Sequence, residues 1–368
     1  MSDLSSHLPF VVTGASGYAA SWVVWEFLSR GATVRATVRD PDNQAKCQHL
    51  IDMGKELPGT LELVKADLLE PGSFDEAVSG AGAVIHMASP FFIGKIKDPY
   101  AQFINPAVEG TKNVLDAVNK AESVTAVVLT SSVAAVYGDS RDLPKAPDGR
   151  FTEDDWNTSS SADHAPYSFS KTLAEKTAWD MHAAQSRWRL STINPAFILG
   201  PSKTPRGDSE SVKFIRDMLR GVYKMGAPPL CFGVVDVRDV AKAHVEAAIR
   251  PDARGRYILV AEPKTFLEMG QILRARLGDG YPFPTRVLPK FLLYLAGPSQ
   301  GLSWKFVRGN AGYLVDFDTT RSREQLGIEY TPVEDTLQQH AEQQIAARAA
   351  VDESEPPQIE TTKPREKK

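Results

Sequence analysis

FVVTGASGYAA, residues 10–20, is the stretch on which the fold turns. Phe10 to Val12 is a short apolar run that stops at Thr13-Gly14 and reads as a buried strand. Gly14 permits a tight turn, Gly17 lets backbone approach a pyrophosphate, and Ala20 is small where helix and strand must pack closely. Residues 21–30 then carry Trp22, Val23, Val24, Trp25, Phe27 and Leu28, a helix largely apolar on one side that ends at Gly31. Its N-terminus offers free N–H groups and the positive end of the helix dipole to an anion. Glycine spacing alone fits a tight strand–helix turn without a ligand equally well. Its position directly after the first strand, with a second strand ending at the expected distance, favours a dinucleotide site.

The alternation continues outward. Strands are expected at 33–38, 61–65, 83–86, 126–130 and 190–194, with helices at 74–79, 107–120 and 167–185 between them. Strands alternating with helices predict right-handed βαβ units and an α/β fold built on a doubly wound parallel sheet, the Rossmann fold. Beyond Pro195 the pattern loosens. Residues 201–208 are a Pro/Gly/charge-rich loop, 234–236 a short strand, and Asp239 an expected N-cap for a helix over 240–249. The division that follows is a leader at 1–9, a nucleotide-binding domain at 10–200 to which part of 232–260 returns, and a smaller C-terminal α/β substrate-binding cap from 201–231 and 256–345. Residues 351–368 are Pro, Glu and Lys with almost nothing to bury, an expected disordered tail.

Composition narrows the function classes. The 368 residues are 42% apolar and 24% charged with a net charge of −4, which gives no reason to expect nucleic acid or an anionic membrane as partner. Cys47 and Cys231 lie far apart and read as free thiols in a reducing cytosol. No stretch reaches the roughly 18 apolar residues of a membrane span, and residues 1–9 lack the basic and apolar regions of a signal peptide, so a cytoplasmic location is expected. The seven histidines show no metal spacing; His86 and His244 read as packed groups, and no metal is expected.

Chemistry is carried by Tyr167-Ser-Phe-Ser-Lys171 and by Ser132 upstream. A Tyr and a Lys at i, i+4 share one helix face. An ammonium beside a phenol favours the phenolate and lowers the tyrosine pKa from about 10 toward working pH. Such a tyrosine exchanges a proton with a carbonyl or alcohol oxygen. At the end of the second strand stands Val38, not an acid, and then Arg39; a guanidinium fork fits a 2′-phosphate, with Lys46 as a second cation. The alternative is two solvated surface cations, and Asp40 beside Arg39 keeps it open. Glu153-Asp154-Asp155 reads as a turn cap on a solvated loop rather than a catalytic acid pair, and Phe91, Phe92, Trp156, Phe169, Phe232 and Trp304 are candidates for an apolar pocket or for core. Cap residues near 209–224 are expected to set substrate shape.

Six motifs stand in one order: Gly14-x-x-Gly17-x-x-Ala20, His86-Met87-Ala88-Ser89-Pro90, Thr130-Ser131-Ser132, Tyr167-x-x-x-Lys171, Asn194-Pro195-Ala196-Phe197-Ile198-Leu199-Gly200-Pro201, and Asp236-Val237-Arg238-Asp239-Val240-Ala241. Together they resemble the extended short-chain dehydrogenase/reductases, in the branch of dihydroflavonol reductases, cinnamoyl-CoA reductases and yeast-type methylglyoxal reductases, over residues 11–337. The resemblance implies a Ser132–Tyr167–Lys171 triad, with Tyr167 as acid/base, Lys171 also binding the nicotinamide ribose, and Ser132 orienting the carbonyl. It implies NADP(H) contacts at Gly14, Ser16, Gly17, Tyr18, Arg39, Lys46, Asp67, Leu68, Met87, Ser89, Thr130, Tyr167, Lys171, Pro195 and Ile198. The implied activity is NADPH-dependent reduction of an aldehyde or ketone, with a small-molecule carbonyl as the partner and a monomer or homodimer as the assembly. Val136 stands where plant flavonoid reductases carry Asn, and Ala165 to Phe169 lacks the Asn-Trp-Tyr-Cys-Tyr segment of cinnamoyl-CoA reductases; both departures argue against a phenylpropanoid substrate. Ala107 stands where sugar-nucleotide epimerases carry Asn, against that branch. The rivals are an NAD-dependent epimerase/dehydratase or hydroxysteroid dehydrogenase on the same fold, and a non-catalytic NADP-sensing regulator, which typically loses the Tyr/Lys pair.

Overall fold

The structure, a computed structural model, describes residues 3–89, 98–145, 147–204, 207, 209–297 and 302–354. In chain order the first half runs β1 (Phe10–Val12), α1 (Tyr18–Ser29), β2 (Thr33–Val38), α2 (Gln44–Glu56), β3 (Thr60–Lys65), α3 (Asp75–Val78), β4 (Ala83–His86), α4 (Asn105–Lys120), β5 (Ala126–Thr130), α5 (Pro166–Ala183) and β6 (Arg189–Pro195). There follow β7 (Phe197–Leu199), α6 (Glu210–Leu219), β8 (Cys231–Asp236), α7 (Val237–Ile249), β9 (Gly255–Leu259), β10 (Glu262–Thr265), α8 (Phe266–Leu277), α9 (Lys290–Ala296), α10 (Trp304–Asn310), α11 (Thr320–Leu326) and α12 (Val333–Ser354).

Seven strands form one sheet in the order β3-β2-β1-β4-β5-β6-β9, every neighbour parallel. This is the doubly wound parallel sheet expected from the alternation of strands and helices. Successive side chains on a strand point to opposite faces, and here both faces are dry. Phe10 and Val12 join the core under α1, α2 and α7, whereas Val11 between them joins the core under α3, α4 and α5. Val84 and Val127 likewise face the second core while Ile85 and Val128 face the first. That two-sided burial is why the central strands read as unbroken apolar runs.

A second, three-stranded sheet, β10-β8-β7, carries the cap. Its core draws on Leu199, Phe214, Met218, Met269, Leu273 and Leu337, from β7, α6, α8 and α12. The Tyr18 hydroxyl donates to the Gly200 carbonyl at 2.6 Å, and the Gly200 N–H donates to His340 Nδ1 of α12 at 3.1 Å. The cap is thereby fastened to the first strand–helix turn.

Several local expectations are corrected. α1 begins at Tyr18, three residues before the expected start at 21. α7 begins at Val237 with Asp236, not Asp239, as its N-cap, accepting from the Arg238 N–H at 2.8 Å. Asp239 instead accepts from the Thr331 N–H at 2.8 Å and its hydroxyl at 3.0 Å. Residues 197–199 pair with β8 in the second sheet, and 255–259 form the edge strand of the main one. α12 runs on to Ser354, into the stretch expected to be a tail; residues 355–368 lie outside the described residues.

Candidate active site

In open α/β sheets ligands bind at the carboxyl ends of the strands, where strand order reverses. Here that point lies between β1 and β4, which flank the turn from β1 to α1. Gly14 has φ +65°, and a Cβ on it would lie 2.9 Å from the Ala88 Cα. Any other residue there both strains the backbone and fills the cradle. No side chain caps α1 at Gly17, so the first-turn N–H groups stay available to an anion. Thr13 braces the neighbouring strand end: its hydroxyl oxygen accepts from the Met87 N–H at 3.0 Å and the Ala88 N–H at 2.9 Å. Its own proton therefore goes to His86 Nδ1, 2.9 Å away. Burial, and then the Lys171 charge, hold His86 down at about 3, so it is neutral as a structural acceptor.

The other expected nucleotide contacts fall along the same edge of the sheet. Arg39 and Lys46 are exposed, just beyond β2 and in the first turn of α2. Neither side chain has an ion pair among the described residues, so both cations are open to a phosphate. Asp67 and Leu68 follow β3, with Asp67 Oδ1 accepting from the Leu69 N–H at 2.9 Å. Ser16 is half-buried in the first turn and Ser89 is exposed after β4. Pro195 ends β6 and Ile198 lies in β7. Tyr18 sits at the turn, but its hydroxyl is committed to Gly200. The glycine cradle suits the pyrophosphate of a nicotinamide dinucleotide, and Arg39 and Lys46, without an ion pair among the described residues, stand one strand away.

Ser132 stands immediately past β5, and its side-chain oxygen accepts from the Ala134 N–H at 3.1 Å. α5 starts with Pro166 at its first position, straight after Ala165 in the left-handed conformation (φ +54°). Tyr167 thus sits in the first turn, 44% exposed as a residue. The protein packed around its hydroxyl raises its pKa above the usual value, while a hydrogen bond with Ser132 acts to lower it. The net direction is opposite to the lowering expected from Lys171: burial outweighs the hydrogen bond with Ser132.

One turn on, Lys171 is buried and its Nζ donates to the Thr130 carbonyl at 3.4 Å. Burial lowers its pKa to about 8, with the Glu175 charge pulling the other way. Lys171 lines a pocket of about 10 Å³ with His86, Ser89, Thr130, Ser131 and Glu175, about enough for one water. The Thr130 hydroxyl meets His244 Nε2 at 2.7 Å, whose Nδ1 faces the Val240 carbonyl at 2.8 Å. His244 is a packed group, as expected.

Sequence reading missed a buried polar network behind this triad. Glu175, fully buried, accepts on Oε1 from Arg256 Nε at 2.6 Å and Thr192 Oγ1 at 3.1 Å, and on Oε2 from Asn194 Nδ2 at 2.8 Å and from the Ser131 hydroxyl. Arg256 also lies 4.0 Å over the Trp156 ring, which makes that ring structural rather than a pocket wall. Asp155 caps the turn as expected, accepting from the Thr152 N–H at 2.8 Å, whereas Glu153 is not on a solvated turn but accepts from the Ile258 N–H of β9 at 3.1 Å. The only early signal was i, i+4 spacing from Lys171 to Glu175.

A second recess, about 330 Å³, opens in the cap between Phe197, Phe214, Tyr223, Phe232 and Phe266, with Glu210, Lys213 and Asp217 also in its wall. Of the aromatic candidates only Phe232 lines it; Trp304 is 66% exposed, and Phe91 and Phe92 lie outside the described residues. Among the described residues no group of three His, Cys, Asp or Glu forms a metal site, and no helix is long and apolar enough to cross a membrane.

Comparison with known proteins gives this arrangement a context. The family model for the NAD dependent epimerase/dehydratase family matches residues 10–261. Cinnamoyl-CoA reductase CAD2 of Medicago truncatula is 37% identical over 337 residues, 90% of this chain and 94% of that protein. The bifunctional dihydroflavonol 4-reductase/flavanone 4-reductase of Malus domestica is 35% identical over 280 residues, 75% of this chain and 78% of that one. Among solved structures, Gre2 from Candida albicans in complex with NADPH matches with a TM-score of 0.75 at 31% identity, covering 92% of this chain and 99% of that chain.

Proposed function

Because the chain belongs to the NAD dependent epimerase/dehydratase family, as an NAD(P)-dependent oxidoreductase of the extended short-chain dehydrogenase/reductase type, we propose that it reduces an aldehyde or ketone to the alcohol with NADPH. The observation that carries this reading is the meeting of Tyr167, Ser132 and Lys171 at the carboxyl end of β5, two strands from the glycine cradle.

A bound nicotinamide supplies the hydride. Tyr167 gives its hydroxyl proton to the carbonyl oxygen as the charge there develops. Ser132 holds that oxygen in line, and the Lys171 ammonium stabilises the phenolate left behind. The choice of NADPH rests on Arg39 and Lys46, both exposed and without an ion pair among the described residues, and is supported by the NADPH in the Candida albicans Gre2 structure. The aromatic recess in the cap suits an apolar or aromatic substituent beside the carbonyl. The working unit is a cytoplasmic monomer or homodimer acting on a small molecule.

The test is an NADPH-oxidation screen across aldehydes, diketones, ketoesters and flavanones, with NADH as the control. Turnover of at least one class with a preference for NADPH is expected. Protein purified with tightly retained NAD and inert toward the whole panel overturns the reading in favour of epimerase chemistry.

A further inference from the structure

Lys171 is a cation in a nearly closed place. Among the described residues, the polar groups sharing its pocket are Glu175 on its own helix, neutral His86 from β4, Ser89 after it, Thr130 and Ser131 at the end of β5, and Thr111 from α4. Glu175 is the one acid lining that pocket among the described residues. A buried carboxylate is costly unless it is paired and its lone pairs are used. Arg256, itself buried, supplies the pair from β9, 81 residues along the chain. Thr192, Asn194, Ser131 and the Trp179 indole N–H also donate to Glu175.

The same network grips the serine of the triad. Asn194 Nδ2 donates both to Glu175 and, at 3.2 Å, to the Ser132 carbonyl. Arg256 Nη2 donates to the Ala135 carbonyl at 3.3 Å, and Nη1 to the Glu153 and Asp155 carbonyls at 2.7 and 2.5 Å. The turn after Ser132 is therefore fixed to the loop at 153–157, with Asn157 Nδ2 donating to the Ala134 carbonyl at 2.7 Å.

Resting on the triad reading above, we propose that the buried Glu175–Arg256 pair is a positioning device for the site: Glu175 supplies the counter-charge of the Lys171 ammonium and, with Asn194, fixes the Ser131–Ser132 segment. Burial draws Lys171 toward its neutral form and Glu175 draws it back, which leaves its midpoint at about 8. Without the carboxylate charge the balance falls to burial alone.

The experiment titrates Lys171 itself by NMR of protein carrying 13Cε-lysine, its resonance assigned by its loss in Lys171→Arg. In Glu175→Gln the midpoint falls by about one pH unit or more, the scale of removing an opposite charge a few ångströms away. The alkaline limb of kcat moves down with it. Glu175→Gln leaves Arg256 buried without its partner, so Glu175→Gln/Arg256→Met is measured if the single variant does not fold; a smaller fall in the same direction is expected, because Glu175 lines the Lys171 pocket and Arg256 does not. Ser131→Ala deletes a hydrogen bond without a charge and leaves the midpoint in place.

An unchanged Lys171 midpoint in a folded charge-removed variant overturns the proposal, as does an equal shift in Ser131→Ala. If neither charge-removed variant folds, the pair is a fold anchor and the proposal falls. The midpoint is independent of turnover, so a Tyr167→Phe protein of undiminished activity sinks the triad reading without touching this result.

Discussion

The nucleotide end and the carbonyl end of the cleft are built from different materials. At the first, function lies in backbone: the φ of Gly14, the uncapped start of α1, and the strand ends around the switch point. At the second, the proposed function lies in side chains gathered from distant parts of the chain: Ser132 from the turn after β5, Tyr167 and Lys171 from α5, with Arg256 of β9 behind them. Backbone sites are local in sequence and tolerate little change, since a new Cβ either fits or does not. Side-chain sites are assembled by the fold, and a single substitution removes one function at a time.

That contrast predicts graded effects. Lys171→Met should lower kcat by about 100-fold or more while thermal unfolding and NADPH affinity, read by fluorescence titration, change far less than kcat. A large loss of binding without a loss of kcat would place Lys171 at the nucleotide end instead. Gly14→Val should act the other way: a left-handed site and a close approach to Ala88 cost about 1–3 kcal/mol in strain, so NADPH binding weakens by about 5- to 150-fold and kcat at saturation is largely kept.

Arg39→Ala should lose a charge-assisted contact worth about 1.5–3 kcal/mol. The ratio of kcat/KM for NADPH over NADH then falls by about tenfold or more, while NADH kinetics stay the same. An unchanged ratio returns Arg39 to the reading of a solvated surface cation. Phe232→Ala, in the cap recess, should cost the least: about tenfold in kcat/KM for carbonyls with an aromatic substituent and almost nothing for small aldehydes.

A further prediction concerns stability. Burial holds His244 and His340 at about 4 and His86 at about 3, below the 6.5 of the free side chain. The unfolded chain takes up protons below pH 6.5 that the folded one refuses, so this contribution is complete above that value and is lost as pH falls toward 4. The unfolding temperature should therefore drop between pH 7 and pH 5, and His244→Asn should flatten part of that slope.

How much was legible in the sequence follows the same division. The strands at 33–38, 83–86 and 126–130 were read with their true bounds because apolar runs bounded by turns carry their own signal. The start of α1 was not, since Tyr18-Ala19-Ala20 gives no capping residue to mark it. Asp236 and Asp239 are equally good caps by type, and only Thr331, 92 residues on from Asp239, decides between them. The pairing of Glu175 with Arg256 and the recess of Phe197, Phe214, Tyr223 and Phe266 depend on tertiary approach, which leaves no local pattern to read. Even the direction of the Tyr167 pKa required the packing, because burial raises it against the hydrogen bond with Ser132.

The central claim is that Tyr167 delivers the proton in an NADPH-dependent carbonyl reduction. The most direct measurement is the single-turnover rate of NADPH oxidation by Tyr167→Phe, at saturating cofactor, with the best carbonyl substrate of the wild-type protein. A fall of about 100- to 10,000-fold with NADPH affinity retained is expected for loss of a positioned proton donor. Oxidation at the wild-type rate would contradict the account.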